Sequence, residues 1–176
     1  MFATIYLPNF FLQAAVRHEQ IASSTPLALI NEQDKKPLII QINQAAELVG
    51  VRIGMAPSQG LARCLHLVIK SRSSVKESAA ANIVLQYCFS LTPHVEATAA
   101  GVWTLHFTRT DHLSDKVSRV VNELSRSEIT AQAGIARTPD MSFLAANLAR
   151  PLLQIDDATE FLRPLPIDVL AAPFQS

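Results

Sequence analysis

Apolar and polar positions along the chain follow two rhythms, and their order predicts a mixed fold. Residues 2–7 (FATIYL) read as a short strand that halts at Pro8-Asn9 and hands over to an amphipathic helix over about 10–20. Residues 26–31 (PLALIN) and 37–42 (PLIIQI) are apolar, β-branched runs, and the polar stretch 32–36 between them has hairpin length. Asn43 is placed to cap a short helix reaching Val49, with Gly50 where a helix-ending glycine is expected. Pro57 suits the first turn of another helix, and residues 67–70 form a further short strand.

After the polar break Ser71-Arg72-Ser73-Ser74, helical spacing returns over about 75–89. Residues 93–98 and 101–108 predict a hairpin turning at Ala99-Ala100. Residues 111–126 are amphipathic, with Leu113, Val117, Val120, Val121 and Leu124 on the buried side. A strand follows over 129–136, and Thr138 or Asp140 opens a helix that ends near Arg150-Pro151. With the first strand added, this order gives an α+β fold. It comprises a ferredoxin-like antiparallel sheet with helices on one face, plus a small inserted α/β lobe over 11–73.

A chain of 176 residues, 49% apolar, can fill one sizeable domain or two small ones. No apolar run approaches the roughly 20 residues of a membrane span. The N-terminus lacks a basic segment and cleavage pattern, so a cytoplasmic protein is expected. Cys64 and Cys88 have no CxxC or His-rich setting and read as buried thiols in a reducing compartment. The 15 basic and 15 acidic residues cancel, but unevenly. Between Phe11 and Lys76, Arg17, Lys35, Lys36, Arg52, Arg63, Lys70, Arg72 and Lys76 meet only Glu19, Glu32, Asp34 and Glu47. A mildly basic lobe suits nucleic acid, although a solvated surface accounts for the same charges.

Four ordered segments carry a family resemblance: IYLPNFFLQAAV, INQAAELVGVRIGMAPSQGLARCLHLVI, HVEATAAGVWTLHFT and AGIARTPDMSFLAANLARP. They resemble the Y-family (DinB/UmuC-type) translesion DNA polymerases. The resemblance implies a palm from 1–10 and 74–162, fingers from 11–73, and the start of a linker to a missing thumb at 163–176. It also implies where the chemistry of that family belongs. There, two Mg²⁺ ions held by carboxylates clamp the primer oxygen and the triphosphate. Aligned without gaps, the first-strand acids fall on Leu7 and Asn9, and the hairpin Asp-Glu pair falls on Gly101 and Val102. The triphosphate-clamping Tyr and Arg fall on Gln44 and Glu47, and a palm Lys falls on Phe143. A carboxylate in place of the Arg repels phosphate rather than binding it.

These departures resemble the ImuB group, polymerase-like proteins without catalytic carboxylates. The resemblance implies a noncatalytic accessory subunit in damage-induced translesion synthesis and mutagenesis, with no cofactor expected. Implied partners are DNA, the sliding clamp, an error-prone replicative-type polymerase and an ImuA-like protein, reached mainly through regions beyond this chain. The setting would be a bacterial cytoplasm, at the nucleoid when acting, with no membrane. Two alternatives stay open. One is an active polymerase using Mg²⁺; the other is a ferredoxin-like docking or regulatory module without DNA.

Other chemistry reads weakly. His94 and Glu96 share a strand face, but a turn at Ala99-Ala100 puts Trp103 opposite Glu96 and His106 on the far side, so three zinc ligands do not converge. Asp156-Asp157 and Glu160 suit a helix N-terminus. Arg137, just past the last palm strand, is a candidate DNA phosphate contact or an exposed loop residue. Asp111, His112 and Ser114 lie too close in sequence to form a catalytic triad.

Overall fold

The computed structural model describes residues 1–166, so residues 167–176 of the expected linker lie outside the described residues. In chain order the elements are β1 (Phe2–Tyr6), α1 (Phe10–Val16), β2 (Leu27–Ile30), β3 (Ile39–Ile42), α2 (Gln44–Leu48), α3 (Pro57–Arg63), β4 (Val68–Ser71) and α4 (Ser74–Leu91). Then come β5 (Val95–Ala99), β6 (Val102–His106), α5 (Leu113–Arg126), β7 (Gln132–Ala136), α6 (Pro139–Leu148), β8 (Leu152–Gln154) and α7 (Ala158–Leu162). Among the described residues, no helix is long and apolar enough to cross a membrane. The chain divides into two compact units, Met1–Pro8 with Asn82–Ser176, and Asn9–Ala81.

The first unit is built on a five-stranded sheet in the order β5-β6-β1-β7-β8. Every pairing is antiparallel except β7 with β8, a short parallel edge that the sequence pattern does not announce. Along β1, Phe2, Thr4 and Tyr6 point to one face and Ala3 and Ile5 to the other. Ala3, Ile5, Leu105, Ala133 and Ile135 are all fully shielded from solvent. α5, which contacts β7, buries the expected Leu113, Val117, Val120, Val121 and Leu124. Burying each such side chain is worth about 1.5–3 kcal/mol, which outweighs the weak helix propensity of three valines.

α6, the helix expected from Thr138 or Asp140, packs on the Thr4 face. Thr138 caps it by accepting from the Met141 amide at 3.4 Å. The approach is close because Gly134 lies opposite Thr4. A Cβ on Gly134 would stand 2.1 Å from the Ser142 carbonyl oxygen and 2.3 Å from the Ala146 nitrogen, so no larger residue fits. Thr4 Oγ1 and Ser142 Oγ meet at 2.7 Å, which satisfies two buried hydroxyls.

The second unit holds a three-stranded sheet, β3-β2-β4, over a core of Ala28, Ile30, Ile39, Ala46, Val51 and Leu67. Asn43 organises it. Its Oδ1 accepts from the Ala46 amide at the start of α2 and from the Leu27 amide of β2, both at 2.9 Å. Its Nδ2 donates to the Thr25 carbonyl at 2.8 Å. One side chain thus caps a helix and fixes a strand, as the cap predicted at this position requires.

The β5–β6 hairpin departs from expectation. Its turn is Ala100-Gly101, with Gly101 at φ 76°, and the ladder slips between Ala97 and Ala99. Thr104 therefore stands opposite Glu96, and Trp103 opposite Ala97. A one-residue change of register reverses the face of every side chain on the partner strand.

Candidate functional site

In the first unit, the positions aligned with metal ligands meet where β1 ends. The Leu7 amide donates to the Gly101 carbonyl at 2.8 Å, one rung beyond the Tyr6–Val102 pair. Strand alternation brings Leu7 onto the Ala3–Ile5 side, where it is 2% exposed. Val102, opposite Tyr6, is equally buried. Phe143 of α6 meets Tyr6 edge-on, with ring centroids 6.2 Å apart. Burial raises the Tyr6 phenol above its ordinary value, as desolvation of a charged form requires. The strand end is thus lined by leucine, glycine, valine and two aromatic rings.

A Mg²⁺ pair needs several hard oxygen ligands, mostly carboxylate. Leu7, Gly101 and Val102 offer no side-chain oxygen, so the residues present do not fit such ions. Among the described residues, no group of three or more His, Cys, Asp or Glu is placed to hold a metal.

In the second unit, Asn9 begins α1 in left-handed backbone, φ 50° and ψ 46°. Asparagine tolerates that conformation better than most residues. Its Nδ2 donates to the Ile42 carbonyl at 2.9 Å, a bond within the fold. Gln44 and Glu47, aligned with the triphosphate clamp, both lie on α2 with exposed side chains. The Glu47 carbonyl accepts from Arg52 Nη1 at 2.7 Å, while its carboxylate remains in solvent.

Other expectations resolve individually. Arg137 is exposed at the β7–α6 turn. Asp157 caps α7, its Oδ1 accepting from the Thr159 and Glu160 amides at 2.8 and 3.0 Å, which accounts for the acidic run. The expectation for His106 is corrected: its amide donates to the His94 carbonyl at 3.0 Å, and the slipped register places His94, Glu96 and His106 around one pocket. The Thr4–Ser142 contact was not foreseen. Its signal was the single hydroxyl in the apolar run of α6, SFLAANL.

In sequence and fold the chain resembles known proteins. The chain is 23% identical over 168 residues to DNA polymerase IV of Photorhabdus laumondii subsp. laumondii, covering 90% of this chain and 48% of that protein. DinB from Sulfolobus solfataricus superposes with a TM-score of 0.84 at 16% identity, covering 97% of this chain and 53% of that structure. The insertion ternary complex of Dbh DNA polymerase gives 0.82 at 17% identity, covering 97% of this chain and 54% of that one. The chain therefore spans about half the length of the relatives it matches. Residues 5–147 match the impB/mucB/samB family, and on that match the chain belongs to this family, homologous to the Y-family DNA polymerases of the DinB/UmuC type.

Proposed function

We propose that this chain is the palm-and-fingers portion of a noncatalytic, ImuB-like subunit. Its role is to place an error-prone replicative-type polymerase at damaged DNA. Residues 1–10 and 74–162 act as the palm and 11–73 as the fingers. The observation that carries the reading is the apolar end of β1, where Leu7 binds Gly101 beside Val102. Phosphoryl transfer by two metal ions depends on charge compensation at that place, and these side chains supply none. The exposed Gln44 and Glu47 add to it, since neither reproduces an Arg clamp on a triphosphate. Sliding clamp, ImuA-like protein and polymerase are the partners of such a subunit. Arg137, exposed past β7, is its candidate phosphate contact.

The test uses the full-length protein with primer–template DNA, all four nucleotides and Mg²⁺. The expected outcome is salt-sensitive DNA binding without primer extension. Mg²⁺-dependent extension abolished by replacing a single carboxylate would establish an active polymerase instead. Failure to bind DNA even at low salt would leave a docking module without a nucleic-acid role.

A further inference from the structure

We propose a second, unrelated site on the first unit: a surface position for a borderline divalent transition metal, with Zn²⁺ as the type ion, held by His94 and His106. The two residues face each other across β5 and β6, the His106 amide donating to the His94 carbonyl at 3.0 Å. Their ring centroids lie 6.0 Å apart. A zinc–nitrogen bond of about 2.0–2.1 Å puts each ring centroid roughly 3.2 Å from the ion, so two rings sharing one tetrahedral ion stand about 5.2 Å apart. The observed separation is somewhat wider, and both side chains are exposed enough to turn toward each other and close the difference.

The surroundings favour a cation. His94, His106 and Glu96 line one pocket of about 320 Å³, together with Phe2 and Thr104. Glu96 brings a negative charge that disfavours phosphate and attracts a metal ion. Phe2 packs against His106 with centroids 4.9 Å apart, which limits the positions this ring can take. Two imidazoles select zinc, nickel or copper over magnesium or calcium, which prefer oxygen. Two protein nitrogens with water completing the shell make an exchangeable site rather than a structural one.

The test is a calorimetric titration of the full chain with Zn²⁺ alone, with Mg²⁺ as control and Co²⁺ absorption as a readout of nitrogen ligation. One Zn²⁺ per chain is expected, with no Mg²⁺ uptake. Either His94→Ala or His106→Ala should weaken binding by about tenfold or more, and the double variant should abolish both the heat and the Co²⁺ band. Glu96→Gln should weaken binding less. Both histidines are exposed, so an unchanged circular dichroism spectrum will show that the variants fold. Undiminished zinc binding by the double variant would place the ion elsewhere and overturn the proposal, as would no Zn²⁺ binding to the parent below millimolar concentration. Neither result bears on primer extension, so this site stands or falls apart from the accessory role.

Discussion

Individual residues show how tightly the first unit is fitted around β1. Ser142 Oγ lies 2.7 Å from the Pro139 carbonyl, which it can donate to, leaving its own oxygen to accept from Thr4. Ser142→Ala would strand the Thr4 hydroxyl, and a loss of about 1–3 kcal/mol is expected in urea unfolding. Gly134→Ala should cost about 3 kcal/mol or more, because the added carbon meets backbone rather than a side chain that can turn aside. A Gly134→Ala variant unfolding at the parent's midpoint would refute the close approach of α6. Cys88 is fully buried in α4, and desolvation pushes its thiol up to about 12. Cys64 is only half-buried. A thiol reagent at pH 8 should therefore modify Cys64 in the native protein and reach Cys88 only on unfolding; prompt modification of both would contradict the packing of α4.

At the scale of elements, charged side chains tie the secondary structures of the second unit together. Arg72 forms a two-pronged bond to Glu77 (3.0 and 2.8 Å) and lies 3.8 Å from the centre of the Phe11 ring. The Glu77 bond raises the guanidinium pKa further. Arg72→Lys would keep the charge but lose the fork and the stacked plane, and should lower stability by about 1 kcal/mol. Glu19 meets Lys70 at 2.6 Å and Lys76 at 3.4 Å, and its carboxyl is held below the ordinary value, chiefly by the Lys70 hydrogen bond. A lowered folded value means that the contribution is present above the unfolded pKa and fades as pH falls through the folded one. Because the pair is part-exposed, Glu19→Gln should cost only about 0.2–1 kcal/mol at pH 7. That difference should vanish in acid and shrink in high salt, as paired melts at several pH values would reveal.

The same elements show what could be read in advance. α5 was legible because five large apolar residues recur at helical spacing, and α2 because Asn43 and Gly50 bracket it. β8 was not, since three residues carry no period and are held by pairing with β7. The hairpin register failed for a different reason. The irregularity between Ala97 and Ala99 inserts a residue that polarity does not mark, and the face of His106 depended on it.

Across the whole molecule, the order of segments reached the family before any single motif could. The positions that the resemblance aligns with metal ligands were named from their distance to a strand end or turn, and in the structure the Leu7 amide donates to the Gly101 carbonyl. What sequence could not supply was the packing around these positions. Leu7→Asp, Gly101→Asp and Val102→Glu combined should not confer primer extension on the full-length protein. Two of the new acids would enter buried surroundings, and the third would occupy a backbone of positive φ that glycine accepts most easily. Extension by that variant would mean that the strand end accommodates three carboxylates and the ions they hold.

Asn9 carries the point further. Its amide hydrogen is committed to the Ile42 carbonyl, and an aspartate in its place would turn one oxygen against another. The uncharged amide at this position is a brace for its own lobe, so any carboxylate placed there would forfeit a tie between the start of α1 and the end of β3.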